Sequence, residues 1–87
     1  MVGDNFPITD YYRGHILDAT TISRVGGWWV AILLIEDPKS KKPFISLYRW
    51  QSTDRGWKAR KQFKFNSQKE VGKIFDGIKE MVKRLPE

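Results

Sequence analysis

Cationic side chains occupy alternate positions in one short segment of the chain. If Trp57 to Phe65 is a strand, its outward set is Lys58, Arg60, Gln62 and Lys64. Residues two apart on a β-strand point to the same face and lie about 6.6–6.8 Å apart. The alternation therefore predicts a row of positive charge along one face of one strand. Such a row has the chemistry to neutralise successive phosphates of an extended nucleic acid strand.

The net charge of +6 is concentrated in the same part of the sequence. Residues 39–64 carry nine Lys and Arg against the single Asp54, a sum of +8, whereas residues 1–38 sum to −3 and residues 65–87 to +1. A localised excess of positive charge is the electrostatic signature of a polyanion-binding surface. Its plainer interpretation is a solvated face that keeps the protein soluble.

Aromatic residues are interleaved with these cations. Trp50 and Trp57 flank the polar turn Ser52–Gly56, beside the basic segment. Base stacking on an aromatic ring contributes about 1–3 kcal/mol per base, and single strands expose the base faces that a duplex hides. The pattern favours single strands over duplex, with Trp50 and Trp57 either as exposed stacking platforms or as packing groups at strand ends. Most other aromatics are expected inside, with core or interface positions for Trp28 and Trp29 and core positions for Phe44, Phe63, Phe65 and Phe75.

Four strand-like segments precede a single helix. They run over Tyr12–Val25, Trp28–Glu36, Phe44–Gln51 and Trp57–Phe65. Gly26-Gly27 predicts a tight hairpin between the first two, and the second is apolar on both faces, which indicates a central or doubly covered strand. In the fourth segment the alternation places Lys61 among the core-facing residues. Either the strand is bulged there or Lys61 lies at the sheet margin.

The C-terminal helix begins with a capping box and carries one apolar face. Ser67 followed by Glu70 is the pattern in which each side chain satisfies a free backbone N–H of the other. An apolar stripe follows at helical spacing, and Pro86 ends the helix; the stripe is Val71, Ile74, Phe75, Ile78, Val82 and Leu85.

These elements predict an α+β fold (ββββα), in which a four-stranded antiparallel sheet is followed by one C-terminal amphipathic helix packed on it. Residues 1–87 are expected to form a single nucleic-acid-binding domain, with residues 1–10 as a candidate flexible segment. A helix stripe this wide can cover the sheet on one flank and meet a second copy of the chain on the other.

Composition argues against several classes of function. The chain has no cysteine, which excludes disulfides and thiolate metal sites. Its one histidine, His15, lies in a strand-like segment, and Glu36-Asp37 precedes a proline in an expected turn, so neither indicates catalysis. The longest apolar segment, Trp28–Ile35, is far shorter than the about 20 residues of a membrane span, and the first nine residues lack a signal-peptide pattern. We expect a cytoplasmic protein, nucleoid-associated in a prokaryote, that is not an enzyme and uses no cofactor, metal, membrane or small-molecule substrate.

The basic segment and the helix together carry a family resemblance. Lys58–Asn66, leading into a helix with Val71, Ile74 and Ile78, resembles the transcriptional positive-coactivator fold of single-stranded DNA-binding proteins, which has archaeal, phage and Whirly-type relatives. Trp29–Glu36 is similar to that family's central apolar strand. The chain is also similar, more loosely, to archaeal single-stranded DNA-binding proteins of the Thermoproteales type. Its long N-terminal segment and its tryptophan content depart from the coactivator pattern.

The resemblance implies a homodimer built through the helices and a nucleic-acid-binding surface on the strands. Carried onto this sequence, it implies phosphate contacts by Lys58, Arg60 and Lys64 and base stacking by Trp50 and Trp57.

The sequence thus predicts non-sequence-specific binding of single-stranded DNA, with RNA left open, through a basic and aromatic sheet surface. The candidate site residues are Arg49, Trp50, Arg55, Trp57, Lys58, Arg60 and Lys64. The alternative is a protein–protein interaction module, a small dimeric adaptor or regulator that uses exposed tryptophans as anchors, since Trp, Tyr and Arg dominate binding hot spots.

Overall fold

The structure is a computed structural model that describes residues 6–87. Four antiparallel strands and one C-terminal helix form the fold of these residues. The strands are β1 (Ile16–Val25), β2 (Trp28–Glu36), β3 (Pro43–Thr53) and β4 (Gly56–Phe65), and they lie side by side in chain order in one sheet. The helix α1 (Gln68–Met81) follows, continued by a short 3-10 turn over Val82–Arg84. The predicted ββββα architecture is confirmed.

The first strand begins later than predicted because a turn precedes it. The Tyr12 N–H donates to the Thr9 carbonyl at 3.1 Å, and the His15 N–H donates to the Tyr12 carbonyl at 2.9 Å. Gly14 then has a φ of 87°, a conformation that favours glycine. The β1–β2 connection is the predicted Gly26-Gly27 hairpin, with φ of 61° and 79° at the two glycines. Positive φ at both central residues is typical of the turn whose twist matches the flanking strands.

One face of the sheet, here called the covered face, holds the core. On β2 it presents Trp29, Ala31, Leu33 and Ile35, and directly opposite them β3 presents Trp50, Tyr48, Ser46 and Phe44; all eight are buried. Residues 6–8 lie over this face. Phe6 and Ile8 are buried, and the Phe6 ring stacks on Trp29 with centroids 5.2 Å apart. The core is therefore a sheet layer closed by Phe6 and Ile8.

The predicted packing of the helix on the sheet is wrong for the single chain. No residue of α1 is buried, and Phe75, expected in the core, is 64% exposed. The covered face is already occupied by Phe6 and Ile8, and only Asn66 and Ser67 separate β4 from the helix. The helix itself begins as predicted, because the Ser67 Oγ accepts a hydrogen bond from the Glu70 N–H at 3.2 Å.

The expected flexibility of residues 1–10 falls partly on residues 1–5, which lie outside the described residues, while Phe6 and Ile8 are part of the core. Within residues 6–87, no helix is both long enough and apolar enough to cross a membrane.

The opposite face of the sheet, here called the open face, divides into two halves. Towards the helix it presents apolar side chains, namely Ile32, Leu34, Ile45, Leu47, Phe63 and Phe65. Phe63, expected in the core, is 61% exposed here, and Phe65 is half-buried. Towards the β1–β2 and β3–β4 turns the open face is polar and cationic, and the candidate site lies in that half.

Candidate nucleic-acid interface

A β-bulge at Arg60 determines which way the basic side chains of β4 point. Ala59 pairs with Trp50 and Lys61 pairs with Arg49, so the register shifts by one residue and Arg60 has no partner on β3. A bulge of this kind places two residues of one strand opposite one of its neighbour and reverses the alternation beyond it. Of the two explanations for Lys61, the bulge is confirmed.

The bulge separates the four side chains that strict alternation places in one row. Lys58 pairs with Gln51 and lies on the open face, whereas Gln62 and Lys64 pair with Tyr48 and Ser46 and lie on the covered-face side. The predicted single row of Lys58, Arg60, Gln62 and Lys64 is therefore wrong. Lys61, opposite Arg49, joins Lys58 on the open face in place of Lys64.

The open face gathers a compact set of cationic and aromatic side chains, here called the basic patch. Its members are Trp28, Arg49, Gln51, Lys58, Arg60 and Lys61. Trp28, Gln51 and Lys58 form one cross-strand row, and Arg49 and Lys61 form part of the next. Neighbouring strands lie about 4.7–4.9 Å apart and successive rows on one face about 6.6–6.8 Å apart, which keeps these groups within a few ångströms of one another.

Two contacts orient the basic patch. The Arg49 guanidinium lies 4.2 Å from the centroid of the Trp28 ring, a cation–π contact on a half-buried tryptophan. The Arg60 Nε donates to the Gln51 Oε1 at 2.8 Å, which brings the bulged residue over the open face. Each arginine therefore retains free N–H groups for an anion while its position is fixed by a neighbour.

The electrostatics of the basic patch are one-sided. All four cations are exposed, and Arg49 and Lys61 stand directly opposite each other, an arrangement that is destabilising for like charges. In residues 6–87 the one ion pair joins Arg13 to Asp10, away from the patch. The four positive charges are thus not neutralised by carboxylates of the fold, and a polyanion would relieve their mutual repulsion.

Arg55 lies at the end of the basic patch, in the β3–β4 turn. It lines a shallow groove together with Lys58 and Arg60, and Asp54 and Trp57 lie in the same groove. The turn is held by the Thr53 Oγ1, which donates to the Gly56 carbonyl at 2.7 Å and accepts from the Arg55 N–H at 3.2 Å. Of the predicted cations, the fold therefore brings together Arg49, Arg55, Lys58 and Arg60.

The predicted stacking role of Trp50 is wrong. Trp50 has no exposed surface and stacks on Tyr48 in the core, with centroids 4.9 Å apart and the rings nearly parallel. Its indole Nε1 is buried and has no hydrogen-bond acceptor among residues 6–87. Trp57 is half-buried at the margin of the covered face, edge-on to Trp29 at 5.5 Å and 5.3 Å from the Arg24 guanidinium. Both tryptophans pack at strand ends.

The Lys64 side chain lies on the other side of the sheet. Its Nζ is 4.2 Å from the centroid of Phe44. Beside it, the Gln62 Nε2 donates to the Ser46 Oγ at 3.2 Å and to the Tyr48 Oη at 3.1 Å. Burial raises the pKa of Tyr48 above its ordinary value, and the phenol oxygen serves Gln62 as an acceptor.

Three members of the basic patch, Trp28, Gln51 and Lys61, are absent from the predicted site residues. Trp28 is adjacent to Trp29, and adjacent strand residues face opposite sides, so one of the two had to leave the core. The signal for Lys61 is the adjacent pair Arg60-Lys61, because strict alternation would send one of these cations into an apolar layer.

Comparisons with protein-family models, curated proteins and solved structures gave no match to this chain. Among residues 6–87, no cluster of three or more His, Cys, Asp or Glu side chains is placed to hold a metal ion.

Proposed function

We propose that the protein binds single-stranded DNA without sequence specificity, with RNA as the alternative strand of the same chemistry, through the basic patch. The observation that carries the proposal is the set of four exposed cations beside the half-buried Trp28, on one face and with no ion pair to a carboxylate of residues 6–87. The cations would neutralise phosphates. The Trp28 ring and the Arg49 guanidinium over it would together form a planar group on which a base could stack. With this ligand, we expect the protein to act in the cytoplasm, and at the nucleoid in a prokaryote.

Single strands suit this surface better than duplex does. Sequence-specific duplex readers commonly insert a helix into the major groove. In α1 the three lysines are balanced by Glu70, Asp76 and Glu80, and its distinctive surface is apolar. A sheet that presents cations and one aromatic group instead matches the stacking and backbone contacts of single-strand binders.

Substitution of Trp28 tests the stacking part of the proposal. We expect Trp28→Ala to weaken binding of a fluorescent oligothymidine about tenfold, which corresponds to about 1.4 kcal/mol and lies within the usual range for one stacked base. Trp28→Phe should retain most of the affinity, because it keeps an aromatic face beside Arg49. The measurement is a titration at several salt concentrations, with a duplex of equal length in parallel.

For the wild-type chain, log K should fall with increasing log salt with a slope of about −0.7 for each phosphate neutralised on a single strand. Trp28→Ala should leave this slope unchanged. Tighter binding of the duplex would contradict the stacking interpretation and leave only the charge interpretation. Failure of the wild-type chain to bind either ligand at low salt would overturn the proposal.

We also propose that the protein is a homodimer built through the C-terminal helix. The helix exposes a shallow and almost entirely apolar groove lined by Ile74, Gly77, Ile78, Met81, Val82 and Leu85. In the apolar half of the open face, Leu47 and Phe63 are exposed as well. Monomeric proteins rarely expose apolar patches beyond a few hundred square ångströms. A two-fold arrangement in which each copy covers the apolar groups of the other fits this chain, because both surfaces belong to every copy.

The second candidate function is a protein-interaction module, and the same apolar surfaces favour it. The predicted use of exposed tryptophans as anchors has less support, because Trp29 and Trp50 are buried in the core. A partner other than a second copy would leave the purified chain monomeric, and the dimer measurement described in the Discussion distinguishes the two.

A further inference from the structure

The basic side chains of β4 belong to the outer edge of the sheet. β4 pairs with β3 alone, so its other edge has no strand beside it among residues 6–87. Every residue from Lys58 to Lys64 is exposed, and none of the seven is acidic. Along an edge strand every second backbone N–H points outward and is free to donate. The edge therefore combines cationic side chains with unpaired backbone donors.

Because of the bulge at Arg60, the cationic side chains of β4 lie on both faces of the sheet. Lys58, before the bulge, and Lys61, directly after the bulge, both lie on the open face. Gln62 and Lys64, further along β4, lie on the covered-face side. From Lys58 to Lys64 the strand rises about 20 Å at about 3.3 Å per residue. The cations thus follow a path that starts on one face, passes the outer edge and ends on the other.

The far end of this path has the chemistry of an anion-binding surface. Lys64 shares a shallow pocket with Lys42, Ser40 and Asn66, and with the carboxylate of Asp37. That carboxylate is engaged locally. It accepts backbone hydrogen bonds from the Lys39 and Ser40 N–H groups, at 2.8 and 3.2 Å, and these lower the pKa of Asp37. The pocket therefore carries two lysines against one ionised carboxylate, with two neutral polar side chains beside them to contact a phosphate or sugar.

We propose that a bound single strand does not stop at the basic patch but follows the outer edge of β4 and passes Arg60 to reach Lys64 on the opposite side of the sheet. The inference rests on the proposed function. Its rival is that cations and a bulge on an edge strand serve to prevent edge-to-edge association between molecules. The two differ in whether Lys64 contacts the ligand.

The test is the length dependence of a Lys64→Ala variant. Oligothymidines of about 4 and about 16 nucleotides bracket the site sizes of single-strand-binding domains. We expect Lys64→Ala to leave the affinity for the short strand unchanged, because the basic patch alone accommodates it. The long strand should bind about fivefold more weakly, the order expected for one exposed ionic contact, and its salt slope should fall by about 0.7.

Lys64→Arg should restore the long-strand affinity, and Lys79→Ala, which removes one exposed charge from the helix, should affect neither strand. Equal loss for both lengths, or none for the long strand while variants of the basic patch bind weakly, would overturn the edge path and leave the proposed function standing. No binding of the wild-type chain to either length would overturn both. Lys64→Ala should unfold at a temperature close to that of the wild-type chain, which would show that loss of the contact with Phe44 does not cause the loss of affinity.

Discussion

A variant in which Arg49, Lys58, Arg60 and Lys61 are all replaced by alanine should bind a long oligothymidine about a hundredfold more weakly at low salt. Four exposed ionic contacts of up to about 1 kcal/mol each set this scale. The slope of log K against log salt should fall by about 3, since about 0.7 counterions are released for each phosphate neutralised on a single strand. The measurement is the same fluorescence titration across a salt series.

The variant should remain folded. All four side chains are exposed, and no carboxylate of residues 6–87 is bonded to them, so no buried partner loses its charge compensation. Removing the directly opposed pair Arg49 and Lys61 also relieves a like-charge repulsion. Thermal unfolding followed by circular dichroism should therefore give a transition close to that of the wild-type chain.

The matched control removes the same number of charges from the helix and the 3-10 turn that follows it. Lys69, Lys73, Lys79 and Lys83 are exposed, and replacing all four by alanine lowers the net charge equally. Only a small loss of affinity is expected for the control. If both variants lose affinity alike, net charge rather than the basic patch drives association, and the site assignment fails.

Local chemistry made the element order and most element ends predictable. Gly26-Gly27 can adopt the positive φ that a tight hairpin needs, and Ser67 offers the oxygen that caps a helix; the structure has both. Such signals act within a few residues and are independent of the rest of the fold. The same holds for β2, whose unbroken apolar sequence predicted a central position.

The orientation of the site side chains was not predictable in the same way. One extra residue at Arg60 reverses the facing of every later residue in β4, so Lys64 leaves the predicted row and Lys61 enters it. A bulge is favoured by the sum of many contacts across two strands, including burial of Trp50 opposite the small Ala59. Alternation along a single strand does not contain that information.

For a related reason, the sequence did not predict that Phe6 and Ile8, rather than the helix, cover the core. An amphipathic pattern shows that a helix has an apolar face but does not identify what that face contacts. Phe6 and Ile8 compete for the same sheet face from the other end of the chain, and they occupy it. The apolar stripe of α1 is thus left exposed in the single chain, and this unbalanced surface leads to the second large prediction.

Ile78→Asp should convert a dimeric protein into a monomer. Ile78 is 54% exposed in the single chain and lies in the apolar groove of the helix. In a helix-mediated dimer the exposed half of its side chain would be buried, which contributes roughly half of the about 1.5–3 kcal/mol of a complete burial in each copy. A carboxylate at the same position would lose this contribution and carry an unpaired charge into an apolar contact. Sedimentation over a range of protein concentrations measures the change directly.

The same substitution at Ile22 is the matched control. Ile22 is 56% exposed, but it lies on β1, outside both the helix groove and the apolar half of the open face. Ile22→Asp should therefore leave the dimer intact, which separates the interface from a general effect of one added negative charge. A wild-type chain that sediments as a monomer at every concentration would contradict the dimer. It would also favour the protein-interaction module over the homodimer, because the exposed Phe75 and Leu85 would then require a different protein to cover them.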